Sequence, residues 1–186
     1  KDEFELLNDI EKGNLKSINA FETLFLRPHS KFFGGAGMYK AFEEYLLPKL
    51  ITQNRNEKKI SIWVPGCTDG KEAYSLALLL NAHKKKLDGW QLSIHATDTD
   101  STALKKAEKA SFDMEDIDEV IFNLYGDGLK KNGYDYIIKS DVRELINFQQ
   151  GTFYDSPPSN DLYDVVVFRN HLKFWQPDLQ EKIINT

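Results

Sequence analysis

Cysteine occurs once in this chain of 186 residues, at Cys67. An intramolecular disulfide is therefore excluded, and a reducing, cytoplasmic setting suits the composition. No apolar run approaches the ~20 residues that cross a bilayer, so direct membrane insertion is not expected. No signal peptide opens the sequence, internal repeats and low-complexity tracts are absent, and the start at Lys1 rather than Met reads as a fragment. A basic surplus is lacking as well: 24 Lys and Arg stand against 29 Asp and Glu, for a net charge of -5. That balance weighs against a nucleic-acid partner, although a local basic groove is compatible with it. The four histidines, at 29, 83, 95 and 171, show no metal-ligand spacing, so no metal is expected.

A hydrophobic content of 41% is enough for one domain with a sizeable core, or one domain with a small appendage. The most informative segment is Ile60–Asp98. An apolar run, ISIWV, breaks into the turn Pro65-Gly66-Cys67-Thr68-Asp69-Gly70. A strongly apolar helix pattern follows (EAYSLALLL), then a second strand, QLSIHA, ending in Thr97-Asp98. Strand, glycine turn, helix and strand with an acid at its tip is the arrangement that binds nucleotide-like ligands. The glycines let the backbone approach the ligand, and the acid accepts hydrogen bonds from a ribose. The glycines are spaced G-x-x-x-G, without the G-x-G-x-x-G that seats a pyrophosphate or the G-K-[ST] ending of a phosphate loop. A nucleoside cofactor lacking phosphates fits better, and S-adenosylmethionine is the candidate.

Along the rest of the chain, residues 2–12 place Phe4, Leu7 and Ile10 on one side of a short helix ended near Gly13. An aromatic stretch, Phe21–Phe33, leads into the hinge Gly34-Gly35-Ala36-Gly37. Met38–Leu50 reads as a helix with Pro48 near its end, and Thr52–Lys59 as a polar connection. After Asp98, Asp100 is placed to cap a helix beginning at Ser101. Residues 113–145 suggest a short helix (Ile117–Leu124), a loop (Gly126–Gly133) and an extended piece (Tyr136–Lys139). Leu145–Gln149 and Tyr163–Phe168 read as third and fourth strands, the Val run of the latter predicting burial on both faces. Strands alternating with helices argue for an open, doubly wound α/β sheet.

Several side chains admit two readings. Asp98 either begins a turn or holds a ribose, and its place in one βαβ unit with the glycine turn favours the ribose. Glu72 lies in the first helical turn, where a carboxylate complements the helix dipole; it is equally placed to hold the ammonium of a methionyl group. Arg27, among aromatics, taken alone covers apolar neighbours with its stem. Cys67 is a small turn residue rather than a nucleophile. His83-Lys84-Lys85-Lys86 suits the negative end of a helix dipole and reads as a solvated face. Ser156-Pro157-Pro158-Ser159 has no closing aromatic to stack on a base and precedes the fourth strand, so it reads as a loop. Phe168-Arg169-Asn170-His171 directly follows that strand, where polar side chains line the ligand crevice.

Taken together these stretches resemble the CheR family of chemotaxis receptor methyltransferases, which use S-adenosylmethionine to methylate receptor glutamates. F-E-T-L-F-L-R-P-H-S-K-F-F is similar to the family's T-x-x-F-R segment before an aromatic. W-V-P-G-C-T-D-G-K-E-A-Y-S-L-A resembles W-x-x-x-C-S-T-G-E-E-x-Y-S-x-A. A-T-D-T-D-S-T-A-L-K-K-A resembles A-[ST]-D-I-D-x-x-x-L-x-x-A, and Y-D-V-V-V-F-R-N-H-L-K-F-W resembles F-D-x-I-x-C-R-N-V-x-I-Y-F. The matches run in order from about Phe21 to the end.

The resemblance implies that the cofactor lies across the Gly66–Gly70 turn, against Gly66 and Cys67, with Asp98 on its ribose. Thr23 and Arg27 would approach its methionyl end together with Glu72. Thr152 and Phe153 would lie near the adenine, and Arg169-Asn170 would follow the fourth strand into the site. Arg27 and Arg169 would orient the reactants. The departures are Lys71 for the first of two glutamates, Phe174 for an active-site tyrosine, Ser111-Phe112 for a Gly-x-Tyr pair and His171 for a valine. The implied fold is a doubly wound, mostly parallel Rossmann-like methyltransferase sheet, C-terminally incomplete, with a short N-terminal helical segment. Residues 1–50 would form that segment and cover the cofactor; residues 51–186 would bind it. The implied activity is protein-glutamate O-methylation of a chemoreceptor-like substrate; the alternative is a degenerate signalling module that no longer methylates. The four strands are expected in the order 3-2-1-4, with YDVVVF at one edge, either self-associating there or covered by Gln176–Thr186.

Overall fold

The segment K-I-S-I-W-V-P forms β1 (Lys59–Pro65), whose alternating side chains meet two different environments. Ile60, Ile62 and Val64 are fully buried and join the apolar core, together with Ile94 and Ala96 of β2 (Gln91–Asp98). The opposite face carries Ser61, Trp63, Ser93, His95 and Thr97, whose polar atoms are paired. Trp63 Nε1 donates to Thr97 Oγ1 at 3.1 Å, Ser93 Oγ to Ser61 Oγ at 3.3 Å, and His95 Nδ1 lies 2.6 Å from the Tyr163 hydroxyl.

A computed structural model describes residues 30–152 and 162–169. The described residues from Lys31 onward belong to one compact unit. β1 runs parallel to β2 from Lys59↔Gln91 to Pro65↔Thr97, and to β7 (Val165–Val166) at Ile62↔Val165 and Trp63↔Val166. β2 in turn pairs in parallel with β6 (Ile146–Gln150), from Ile94↔Ile146 to Asp98↔Gln150. The sheet order is β6-β2-β1-β7, the 3-2-1-4 order expected from the sequence. Between β1 and β2 runs α3 (Lys71–Ala82), in which every residue from Ala73 to Asn81 is buried. A helix apolar on all sides can sit only inside a core, and the four leucines of this one fill the space over the sheet. From β2 the chain enters α4 (Ser101–Lys109), where Asp100 caps the first turn by accepting from Thr102 N at 2.8 Å and Ala103 N at 3.2 Å.

Three local expectations are corrected. The helix read as Met38–Leu50 runs from α1 (Ala36–Ala41) through a π turn (Phe42–Leu46) into α2 (Leu47–Gln53). Pro48 does not stop it. Proline lacks the N–H that a normal turn would supply, and the wide turn just before it, closed by Leu47 N on Phe42 O, lets the helix continue. The stretch read as a loop at Gly126–Gly133 contains β4 (Leu129–Asn132), paired antiparallel with β5 (Asp135–Ile138), which also pairs with β3 (Ser111–Asp113). Only Leu129 of β4 is buried, so its sequence shows no alternation to read. α5 (Glu119–Tyr125), whose first turn is capped by Asp118 accepting from Ile121 N, lies between β3 and β4 in the chain, and α6 (Ser140–Arg143) follows β5. Lastly, the Val run is not buried on both faces: Val167 is 6% exposed but Val166 is 48% exposed. Among the described residues β7 pairs with β1 alone, and an edge strand can be apolar without being covered. The expected helix within residues 2–12, the Ser156–Ser159 loop and the covering segment Gln176–Thr186 lie outside the described residues.

Candidate functional site

The carboxyl ends of the parallel strands meet at one edge of the sheet, and β1 hands over there to the glycine turn. Gly66, Thr68 and Gly70 have φ of 69°, 52° and 84°. Gly70 is required by space as well: a Cβ there would stand 2.8 Å from Ala107 Cβ and 3.1 Å from the Phe148 ring, so α3 could not approach α4 and β6 so closely. Thr68 is not glycine, and a left-handed residue of this kind stores about 1–3 kcal/mol. It is held by its amide, which donates to Asp98 Oδ2 at 2.7 Å. Cys67 N donates to Thr97 O at 3.0 Å, joining the turn to β2. Burial, reinforced by the Asp98 charge, pushes the Cys67 thiol well above its ordinary range, so it stays protonated and unreactive.

Asp98 ends β2 at the tip of this edge. Its Oδ2 takes the Thr68 amide and its Oδ1 the Asp100 amide at 2.9 Å. A carboxylate offers about four acceptor positions. Two are used by the turn, and two remain, the number a ribose with adjacent hydroxyls asks for. The residues at this edge therefore fit a nucleoside. Thr152 lies two residues past β6, half-buried, next to Gly151, whose amide donates to Asp98 O at 3.1 Å.

Beside the turn, Glu72 in the first turn of α3 meets Arg169, three residues after β7. Arg169 Nη1 donates to Glu72 Oε1 at 2.8 Å, the side chains being 25% and 19% exposed. The guanidinium also lies over the Tyr39 ring, 5.8 Å from its centroid. Gly35 (φ 71°) leaves it room: a Cβ there would be 2.5 Å from Arg169 Nη2. Lys71, next in sequence to Glu72, reaches Asp116 Oδ1 at 2.8 Å and Asp69 Oδ2 at 3.3 Å. Burial alone would lower its pKa, but the two carboxylates outweigh that and the net shift is upward. This bridge ties the glycine turn to the segment between β3 and α5.

Of the residues singled out from sequence, Gly66, Cys67, Glu72, Asp98, Thr152 and Arg169 are therefore described, on the turn, on α3, or at and just beyond the carboxyl ends of the strands. Thr23, Arg27, Phe153 and Asn170 lie outside the described residues. Sequence reasoning missed the partners of Lys71, the close approach at Gly35, and Tyr39. The only sequence signal for the last two was the glycine cluster at residues 34–37, read as a hinge.

A parallel 3-2-1-4 sheet with a phosphate-free glycine turn and a strand-tip acid defines a Rossmann-like, nucleoside-cofactor-binding domain. Within that class the chain belongs to the CheR methyltransferase family: residues 28–186 match the model of its S-adenosylmethionine-binding domain, which makes S-adenosylmethionine the cofactor. Among curated relatives, a chemotaxis protein methyltransferase of Vibrio anguillarum is 24% identical over 192 residues, 97% of this chain and 66% of that protein. Chemotaxis protein methyltransferase 1 of Vibrio cholerae is also 24% identical, with the same coverage of 97% and 66%. An uncharacterised 104.1 kDa protein of Rhodobacter capsulatus is 26% identical over 160 residues, 86% of this chain but 17% of that protein. The chain thus spans just under two thirds of the Vibrio proteins. Among the described residues, no helix is long and apolar enough to cross a membrane.

Proposed function

We propose that this chain is an S-adenosylmethionine-dependent protein-glutamate O-methyltransferase acting in the cytoplasm on a chemoreceptor or related signalling protein. The observation that carries the reading is one sheet edge that bears both the Asp98-anchored glycine turn and the Arg169–Glu72 pair, in a chain of the CheR family. Two relatives named chemotaxis protein methyltransferase support it at 24% identity.

When bound, S-adenosylmethionine supplies a methyl group on a sulfonium whose departure leaves a neutral thioether. The chain's residues bind and orient. Asp98 would hold the ribose hydroxyls, the backbone at Gly66 and Cys67 would lie along the cofactor, and Thr152 and Phe153 would adjoin the adenine. Glu72 would take the methionyl ammonium, while Thr23 and Arg27 would take its carboxylate. Arg169 would also reach the methionyl carboxylate and, with Asn170, set the position of the substrate carboxylate relative to it. Residues 1–50 act as a cover that excludes water. No general base is needed, because a glutamate of reference pKa about 4.3 is already ionised at neutral pH. Alignment and exclusion of water then supply most of the rate.

A second reading, a cofactor-binding module that no longer methylates, draws on Lys71, engaged by Asp69 and Asp116 where the family has a glutamate. Calorimetry with S-adenosylmethionine and S-adenosylhomocysteine, followed by methyl transfer to receptor fragments, separates the two. The methyltransferase reading expects binding and transfer; binding without transfer to any glutamate supports the module.

A further inference from the structure

Tyr39 is 3% exposed, and its hydroxyl is shielded from water with no hydrogen-bond partner. Buried polar groups are almost always paired, so a hydroxyl kept unpaired beside a binding edge points to a missing partner. The surrounding groups show what kind. Ser75 donates to Lys71 O at 2.7 Å and accepts from Phe33 N at 2.9 Å. Arg169, over the Tyr39 ring, carries donors only. Glu72 already accepts from Arg169 at 2.8 Å. Burial, then the Glu72 charge, pushes the Tyr39 pKa up to about 12 against the opposing effect of Ser75 and Arg169, so the hydroxyl keeps its proton at neutral pH. Ser75 Oγ and the Glu72 carboxylate are acceptors, but neither stands in hydrogen-bonding geometry to the Tyr39 hydroxyl, which is left without one. Next to a guanidinium, the missing acceptor is an anionic oxygen.

We propose that Tyr39 is a further cofactor-binding residue, its hydroxyl donating to the methionyl carboxylate beside Arg169. A cation, an anion and a neutral donor side by side match the zwitterion of an α-amino acid, whereas a substrate glutamate side chain brings only an anion. The proposal rests on reading this edge as the cofactor site.

The test is calorimetry on the full chain with two probes, S-adenosylhomocysteine and methylthioadenosine, which lacks the amino-acid end. The parent should bind S-adenosylhomocysteine far more tightly; equal affinity removes the methionyl contact and overturns both the proposal and the reading beneath it. Tyr39→Phe should weaken S-adenosylhomocysteine about ten- to a hundredfold and leave methylthioadenosine unchanged. The ligand-free variant should melt no lower than the parent, because the hydroxyl it loses is unpaired. Unchanged S-adenosylhomocysteine binding overturns the proposal. So does equal weakening of both probes with a lowered melting temperature, which marks a structural role. A loss confined to a glutamate peptide added to the S-adenosylhomocysteine-saturated protein overturns it too, by assigning the donor to the substrate.

Discussion

Replacing Asp98 with alanine should damage the cofactor site and the turn together, by amounts that can be separated. The carboxylate accepts from the Thr68 and Asp100 amides at 2.7 and 2.9 Å. Each bond to a charged acceptor contributes about 1.5–3 kcal/mol, and two on one half-buried group belong at the low end, so Asp98→Ala should lose roughly 3 kcal/mol of stability. Thr68, at φ 52°, loses the contact that holds it and should relax. Ribose binding loses a further charged acceptor, about 1.5–3 kcal/mol or ten- to a hundredfold in affinity. Because the ribose is common to both ligands, adenosine and S-adenosylhomocysteine should weaken by the same factor. Urea unfolding gives the first quantity and calorimetry below the unfolding transition the second. A variant that binds S-adenosylhomocysteine as tightly as the parent refutes the ribose assignment.

Arg27→Ala should weaken S-adenosylhomocysteine far more than adenosine, which has no carboxylate; equal losses would indicate a folding role instead. Phe174→Tyr should raise turnover if the hydroxyl helps orient the reactants, and unchanged turnover in steady-state assays would count against that. Lys71→Met should cost on the order of 1 kcal/mol at neutral pH. Asp116 and Asp69 hold the Lys71 pKa above its ordinary value. The contribution is therefore whole below the unfolded lysine pKa of about 10.4 and lost as pH rises through the higher folded value. Between neutral pH and that alkaline range urea melts of parent and variant should differ, and above it they should converge; convergence at neutral pH would contradict the bridge. The half-exposed Val166 edge should pair with another copy unless Gln176–Thr186 covers it, so light scattering should show dimers that Val166→Lys abolishes. A monodisperse monomer with the edge bare would refute this.

The parts of the fold legible in sequence were those with a local physical signal. β1 and β2 announced themselves by β-branched residues between turns, α3 by its unbroken apolar run, and the start of α4 by the Asp100 cap. The glycine turn was legible from the G-x-x-x-G spacing after an apolar strand, whereas the space that Gly70 leaves for Ala107 and Phe148 was not. Features set by distant partners were not. Arg169 and Glu72 are 97 residues apart in the chain, and Lys71 read as a departure from a pattern until Asp116 stood opposite it. β4 escaped because one buried leucine makes no pattern, and the π turn because its cause, a missing N–H at Pro48, ordinarily ends a helix. The Tyr39 hydroxyl escaped because an unpaired atom leaves no trace in a sequence.

If the edge around Asp98, Glu72 and Arg169 serves methyl transfer to a glutamate, the transferred methyl group should sit on the receptor as a carboxyl ester. The direct measurement incubates the chain, methyl-labelled S-adenosylmethionine and a receptor fragment, then treats the fragment with mild base. Label should appear on the fragment, be released by base as methanol, and be absent from a fragment whose glutamates are replaced by glutamine. Base-stable label, or equal label on the glutamine fragment, would contradict it.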